Sequence, residues 1–237
     1  LTFAIQLARD AGAIIGDAVT KRHHGDATHT DVKADNPSDI VTETDRAVEE
    51  YIKARLTIAY PDHKFIGEES SENTVFTDDP TWIVDPIDGT NNFVHGYPCV
   101  AVSIGLTMAK EPVVGVVFNP LTNELYSAGR GLGAYLNETQ SLPLFKAPLK
   151  DLSQCVVGTE VGSDRSPQSI DKKLAFMHQL VKSRAQGGKQ ALSIRATGSA
   201  AINMCSVAKG CLDVYWEVGC WEWDVCASIV IVQEAGG

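Results

Sequence analysis

The segment Asp85-Pro86-Ile87-Asp88-Gly89-Thr90 places two carboxylates beside a turn-forming glycine, directly after a short apolar stretch. Because Pro86 disfavours the helical region for the preceding residue, we expect a strand to stay extended up to Asp85. Asp85 and Asp88 would then face one point across a turn, where the carbonyl of Ile87 can join them. Carboxylate and carbonyl oxygens are hard ligands that suit Mg²⁺, Mn²⁺ or Ca²⁺.

The same segment has features of a phosphate-binding site. Gly89 allows the backbone to come close to a ligand. A helical turn that starts at Thr90 would present free backbone N–H groups to an anion. The alternative is that Asp-Pro and Asp-Gly simply form a surface turn, and the segment alone favours neither interpretation.

Three further acidic sites could join this chemistry. Glu68 and Glu69 follow an apolar stretch that resembles a strand end, although two adjacent glutamates could both lie in solvent. Asp224 lies inside an apolar helix start and needs a partner, a helix N-terminus or a metal; it could equally be an N-cap. Thr42 followed by Asp45 predicts a capping box with a shorter acid.

Hydrophobic periodicity predicts the elements that position these side chains. Helices are expected at 3–19, from 42 onward, and at 168–183, 199–209 and 223–234. Strands are expected at 82–84, 99–109, 112–119, 124–128, 133–136, 154–159, 192–195 and 212–216. The stretch 23–39 predicts a loop or ragged hairpin, and the polar stretch 138–152 is the best candidate for a boundary between two halves. Strands and helices alternate unevenly, which favours a layered α/β fold.

Composition restricts the partners. The 237 residues carry a formal net charge of −10, which disfavours nucleic acid and anionic lipid surfaces as partners. A phosphate ester substrate would therefore need local positive charge, and a metal ion is the expected source. No apolar run is long enough to span a bilayer, and no secretory signal is evident.

The six cysteines form no C-x-x-C pair, which disfavours zinc. In a chain of this length, free thiols in a reducing compartment are favoured over a disulfide framework. A cytoplasmic protein is therefore expected.

The combination of motifs resembles the inositol monophosphatase family, within the lithium-sensitive sugar phosphatases. The order and spacing agree over nearly the whole chain, and the most specific feature is the Asp-Pro-Ile-Asp-Gly-Thr-x-Asn-Phe string with a downstream Trp-Asp. The matching segments are 67–70, 85–93, 198–200, 223–225 and 234–237.

The resemblance implies a five-layer α-β-α-β-α sandwich. Residues 1–237 would form a single phosphatase domain with pseudo-lobes of about 1–140 and 150–237 and the active site between them. The family sequence usually continues past Glu234-Ala235-Gly236-Gly237, so we expect this chain to lack a C-terminal part.

The resemblance also implies two or three Mg²⁺ ions. Glu68, Asp85 and the carbonyl of Ile87 would hold the first, and Asp85, Asp88 and Asp224 the second, with Glu68 also serving a third, weaker site. Thr90, with Asp45 and Glu69, would orient and activate the attacking water. The implied substrate-binding residues are Glu68, Ile87, Asp88, Gly89, Thr90, Ser163, Gly198, Ser199, Ala200, Glu217 and Asp224.

The implied reaction is lithium-sensitive, magnesium-dependent hydrolysis of a phosphate monoester on a polyol, by direct attack of water. The favoured substrate is myo-inositol 1-phosphate, and a homodimer is implied. Related alternatives are 3′,5′-bisphosphate nucleotidase, fructose bisphosphatase and histidinol phosphatase. Bisphosphate enzymes need extra Arg or Lys side chains for the second phosphate, and the region 195–217 offers only Arg195 and Lys209, which favours the inositol ester. A catalytically idle regulatory relative is the alternative from another class.

Overall fold

The computed structural model describes residues 1–23, 30–33, 36, 40–70, 74–145, 148–149 and 151–237. These residues form helices and strands that follow one another unevenly along the chain. In chain order they are α1 (Thr2–His23), β1 (Thr30–Val32), β2 (Ile40–Thr42), α2 (Glu43–Ala59), β3 (Lys64–Gly67), β4 (Thr81–Asp88), α3 (Thr90–His95), β5 (Ala101–Met108), β6 (Glu111–Asn119), β7 (Glu124–Gly129), β8 (Gly133–Leu136), β9 (Gln140–Ser141), β10 (Val156–Gly158), α4 (Pro167–Val181), β11 (Ser193–Arg195), α5 (Ala200–Lys209), β12 (Val214–Tyr215) and α6 (Glu222–Glu234).

The larger sheet has seven strands in the order β3-β4-β5-β6-β7-β8-β9. Its pairs are antiparallel except for β3 and β4, which run parallel. Strand β4 is buried along its whole length, and β5 along most of it. Strands buried on both faces carry continuous apolar runs, because each face packs against other elements.

Helices cover both faces of this sheet. Helices α1 and α2 pack on one face, and α5 and α6 pack on the other. Helix α6 lies so close to β6 that a Cβ at Gly115 would be 2.0 Å from the carbonyl oxygen of Ala227. The glycine therefore allows helix and sheet to approach more closely than any larger residue would.

A second, smaller sheet completes the layers. Strands β11, β10 and β12 pair in that order and run parallel. Helix α5 contacts β12 and helix α4 contacts β11, so α4 forms the outermost layer on this side. The order is thus α1 and α2, seven-stranded sheet, α5 and α6, three-stranded sheet, α4. This confirms the five-layer sandwich.

The predicted helices and strands are confirmed with boundaries shifted by a few residues. Thr42 and Asp45 form the expected capping box of α2, and Gly210 ends α5 in the left-handed region at φ +87°. Part of the predicted ragged hairpin appears as the antiparallel pair β1 and β2. The positions 24–29, 34–35 and 37–39 of that hairpin lie outside the described residues.

The expectation that the strand ends at Asp85 and that a turn separates Asp85 from Asp88 is wrong. Strand β4 continues through both residues, and its register with β5 shifts between them. Pro86 lies at this bulge, where the missing N–H of proline costs no regular ladder hydrogen bond. The bulge, rather than a loop, sets the spacing of the two carboxylates.

No helix in the described ranges is long and apolar enough to cross a membrane.

Candidate active site

Asp85 is the most buried of the carboxylates that were predicted to bind metal. Its side chain is 2% exposed, and Oδ1 accepts a 2.9 Å hydrogen bond from the backbone N–H of Ile87 across the bulge. Burial raises the pKa of Asp85 well above its ordinary value, and the carboxylates of Glu68, Asp88 and Asp224 raise it further. Four acidic groups from β4, the end of β3 and α6 therefore act on one another electrostatically.

Asp88 is held by the start of helix α5. Its Oδ2 accepts hydrogen bonds of 2.6 Å from both Ser199 Oγ and the backbone N–H of Ala201, and its Oδ1 accepts a longer bond of 3.3 Å from Ala200 N. Burial raises the pKa of Asp88 to about 7, although the bonds from Ser199 and Ala201 act in the opposite direction. The N-terminus of a helix favours a negative charge at this point.

Asp224 lies in the first turn of α6. Its Oδ2 accepts a 2.7 Å hydrogen bond from the backbone N–H of Trp221, the residue that precedes the helix. The N-cap alternative is therefore wrong in position, since Asp224 lies three residues inside the cap. Burial, followed by the charge of Asp88, raises the pKa of Asp224 to about 8.

Glu68 and Glu69 share a cation that the sequence did not identify as a partner. Lys33 Nζ lies 2.8 Å from Glu68 Oε1 and 2.7 Å from Glu69 Oε1. Burial raises the pKa of Glu69 to about 7, against the effect of Lys33. Glu49 was also missed: its Oε2 accepts a 2.8 Å hydrogen bond from the backbone N–H of Glu69. Its spacing of four residues from Asp45, on the buried face of α2, was the signal available.

Thr90 and Asp45 lie in direct contact. Thr90 Oγ1 is 3.0 Å from Asp45 Oδ1 and 3.1 Å from the carbonyl oxygen of Ile87, so its one hydroxyl proton is donated to one of them at a time. Asp45 Oδ2 accepts a 2.8 Å hydrogen bond from Thr42 N. Burial raises the pKa of Asp45. The same carboxylate thus completes the capping box of α2 and orients the hydroxyl of Thr90.

Gly89 supplies the tight turn that leads from β4 into α3. Its φ is +93°, and a Cβ there would lie 2.7 Å from the carbonyl oxygen of Cys99. Only glycine fits such a position without strain. Gly89 has no side chain that could cap α3, so the first backbone N–H groups of that helix have no side-chain acceptor at the cap.

A cavity of about 420 Å³ opens beside these carboxylates. It is lined by Asp88, Ser163, Gly198, Ser199, Ala200, Glu217 and Asp224 among the predicted residues, and also by Asn91, Glu160, Val161, Gly162 and Arg165. Glu68, Glu69 and Thr90 are not among the residues that line it. A larger cavity of about 560 Å³ near Phe145 and Gly237 is lined by none of the predicted site residues.

The donor set fits divalent cations that prefer oxygen ligands. Among the described residues no three acidic, His or Cys side chains already form a metal cage, and Lys33 pairs with Glu68 instead. The raised pKa values of Asp85, Asp88 and Asp224 mean that these buried carboxylates, which repel one another, are ionised together near neutral pH only if positive charge lies close to them. A hard cation among these oxygens would supply it.

Two named relatives are similar to nearly the whole chain. The protein named "Inositol monophosphatase 2" from Saccharomyces cerevisiae is 48% identical over 207 residues, which cover 85% of this chain and 69% of the relative. The "Quinic acid degradation cluster protein x" from Neurospora crassa is 40% identical over 260 residues, covering 100% of this chain and 76% of the relative.

A solved structure shows the same fold. The inositol monophosphatase from Anabaena superposes with a TM-score of 0.80 at 29% sequence identity, covering 100% of this chain and 81% of that one. The model of the inositol monophosphatase family matches residues 1–237. The chain therefore belongs to the inositol monophosphatase family and is a phosphoric monoester hydrolase.

Proposed function

We propose that this phosphatase hydrolyses a phosphate monoester on a polyol in a magnesium-dependent reaction, with myo-inositol 1-phosphate as the favoured substrate. One arrangement supports this most directly. Asp88 lines the cavity that Glu217 also lines, and the Thr90 hydroxyl contacts both Asp45 and the carbonyl oxygen of Ile87, which lies between Asp85 and Asp88 along the buried strand β4. A phosphate bound at the carboxylates would place its ester oxygen toward that cavity.

The metal assignment follows the donor set. Glu68, Asp85 and the Ile87 carbonyl would hold one Mg²⁺, and Asp85, Asp88 and Asp224 a second, with Glu68 serving a third. Such ions neutralise the phosphate, lower the pKa of a bound water and stabilise the leaving oxygen. Lys33 pairs with Glu68 Oε1, so a metal ion would either bind the second oxygen of Glu68 or replace Lys33 at the first. Each active site would therefore hold two or three Mg²⁺ ions.

The chain's own residues orient the reacting groups. Asp45 Oδ1 accepts a hydrogen bond from the Thr90 hydroxyl, which leaves the oxygen lone pairs of Thr90 available to a hydrogen of a water molecule. Glu69, with a pKa raised to about 7 mainly by burial, can accept a proton from that water near neutral pH. The backbone N–H groups of Gly89 and Thr90 would bind phosphate oxygens.

Glu217 is the proposed polyol-binding carboxylate. Tyr215 donates its phenolic hydrogen to Glu217 Oε2, which fixes the carboxylate at the cavity wall. Ser163, Gly198, Ser199 and Ala200 line the same cavity. A carboxylate accepts hydrogen bonds from neighbouring hydroxyls, so this wall suits a polyol better than an apolar leaving group. The names of several family relatives, "Inositol monophosphatase", agree with this choice.

A substrate panel tests the proposal. Phosphate release is measured with myo-inositol 1-phosphate, fructose 1,6-bisphosphate, adenosine 3′,5′-bisphosphate and histidinol phosphate, with Mg²⁺ and with EDTA. We expect the inositol ester to have the highest kcat/KM and EDTA to abolish turnover. Higher kcat/KM for a bisphosphate would reject the substrate, and turnover in excess EDTA would reject the metal role.

A second function is supported by the Neurospora relative, which is named as a quinic acid degradation cluster protein. A member that regulates such a cluster need not turn over substrate. Magnesium binding by the wild-type protein without phosphate release from any ester in the panel would favour this alternative.

The assembly and location belong to the same proposal. We infer one domain with lobes of about 1–140 and 150–237, acting in the cytoplasm as a homodimer. Light scattering coupled to size-exclusion chromatography gives the mass that tests the dimer.

A further inference from the structure

Glu160 is a buried carboxylate that the family motifs did not identify. It follows β10, is 9% exposed and lines the 420 Å³ cavity together with Glu217. The two carboxylates also interact, since the charge of Glu160 contributes to raising the pKa of Glu217. A carboxylate is costly to bury, so its hydrogen bonds should account for its presence.

One oxygen of Glu160 holds the turn that precedes α5. Oε1 accepts hydrogen bonds of 2.6 Å from Thr197 N, 2.8 Å from Gly198 N and 2.8 Å from Asn203 Nδ2. Asn92 also holds this turn, because its Nδ2 donates a 2.7 Å hydrogen bond to the carbonyl oxygen of Thr197.

The turn at residues 197–198 is tightly packed, so its backbone conformation must be fixed. Gly198 has a φ of +77°, and a Cβ there would lie 2.9 Å from Asn92 Nδ2. The next residue, Ser199, hydrogen-bonds Asp88. Through Oε1, Glu160 therefore positions the residues that hold a proposed metal ligand.

Oε2, the second carboxylate oxygen of Glu160, does not take part in holding the turn. Among the hydrogen bonds made within the described ranges, every bond to Glu160 ends on Oε1. Oε2 thus keeps its acceptor capacity, and the residue borders the cavity. A hydroxyl that donates to a carboxylate forms a stronger bond than one that donates to a neutral acceptor.

We propose that Glu160 is a second substrate-binding residue, whose Oε2 accepts a hydrogen bond from a hydroxyl of the polyol while Oε1 holds the 197–198 turn. The proposal rests on the proposed function and deepens it. Glu217 and Glu160 together would bind two hydroxyls of one substrate.

The variant Glu160→Gln separates the two roles of the side chain. The three donors at Oε1 favour the amide oxygen in that place, so the turn stays held and an NH₂ group replaces Oε2. The NH₂ group can still donate a hydrogen bond to a hydroxyl oxygen of the substrate. The variant therefore loses only the extra strength that the negative charge of Glu160 gives to this hydrogen bond. We expect KM for myo-inositol 1-phosphate to rise about fivefold or more, with kcat within about twofold.

The comparison substrate is p-nitrophenyl phosphate, which has no polyol hydroxyls and should show unchanged constants with Glu160→Gln. Glu222→Gln is the charge-matched control, because Glu222 is exposed and does not line the cavity. Equal losses with both substrates would show a purely structural role, and unchanged constants with both would show no role. Either result overturns the assignment.

Failure of the favoured substrate is a separate result. If the wild-type protein turns over a different polyol phosphate, the changes in KM and kcat caused by Glu160→Gln are measured with that ester. Turnover of p-nitrophenyl phosphate but of no polyol phosphate would reject both the proposed function and the role of Glu160.

Discussion

Ser199 Oγ lies 2.6 Å from Oδ2 of Asp88, across 111 positions of sequence. The same hydroxyl oxygen accepts a 3.1 Å hydrogen bond from Ile202 N and so caps helix α5. One side chain therefore begins a helix and orients an acidic residue of β4. The Ser199–Asp88 hydrogen bond therefore connects helix α5, in the layer between the two sheets, to the candidate active site.

Replacing Ser199 with alanine should therefore have two effects. Loss of the cap should lower the free energy of unfolding by about 1 kcal/mol. Loss of the bond to Asp88 should weaken magnesium binding, measured by calorimetric titration, by about tenfold. Ser166→Ala is the matched control, since Ser166 caps α4 through a bond to Ser169 N and contacts no site carboxylate. Equal magnesium affinity in both variants would contradict the assignment.

Asp85→Asn should abolish nearly all phosphate release, a loss of at least about 10²-fold, while the protein stays folded. Without metal the variant should be as stable as the wild type or more so, because a buried charge repelled by its neighbours is removed. Urea unfolding with EDTA and with Mg²⁺ measures this. The wild type should gain stability from Mg²⁺ and the variant should gain little, whereas Asp62→Asn at an exposed position should behave as the wild type does. Full activity in Asp85→Asn would refute the metal assignment.

Metal-free protein should lose stability as the pH rises. The pKa values of Asp88 and Asp224 are raised to about 7 and about 8, largely by burial, whereas the unfolded value is about 3.9. At pH values between the unfolded and the folded pKa, the folded state holds protons that the unfolded state has released. Folding therefore becomes less favourable with increasing pH. In EDTA the melting temperature should fall by roughly 5 °C or more from pH 5 to pH 8.5. Saturating Mg²⁺ should remove most of that decrease, and a melting temperature that rises with pH in EDTA would count against the raised pKa values.

Thr90→Val keeps the shape of the side chain and removes the hydroxyl that contacts Asp45. If this pair positions the attacking water, kcat should fall by about 10²-fold or more. Thr90→Ser keeps the hydroxyl and should stay within about tenfold of the wild type. The stabilisation by Mg²⁺ should be nearly unchanged in both, which separates water positioning from metal binding. Similar losses of kcat in Val and Ser variants would argue for a packing role.

Two glycines of α1 provide a paired test of the packing between this helix and the seven-stranded sheet. A Cβ at Gly12 would lie 2.4 Å from the ring of Phe118, whereas none of the described atoms lies within 4 Å of a Cβ at Gly16. Gly16→Ala should stabilise the protein by about 0.5–1 kcal/mol through helix propensity. Gly12→Ala should destabilise it by about 1–3 kcal/mol, because Phe118 must move. Chemical denaturation measures both, and equal changes would mean that α1 does not pack as described.

The sequence alone was enough for much of the local structure. The spacing of apolar residues predicted α1, the antiparallel strands β5 to β8 and the helices of the second half. Thr42 with Asp45 and Gly210 after α5 predicted helix ends correctly, because caps depend on residues that are neighbours along the chain. The Asp-Pro-Ile-Asp-Gly-Thr motif likewise identified the family from residues that are contiguous.

Only the tertiary structure decided which distant groups share the site. Lys33 pairs with Glu68 and Glu69, Glu49 hydrogen-bonds Glu69 N, and Glu160 holds the turn before Ser199. None of these contacts follows from spacing, because each joins elements that come together only when the two sheets and their helices pack. Pro86 shows the same limit locally: a proline can start a turn or occupy a bulge, and the pairing of β4 with β5 selected the bulge.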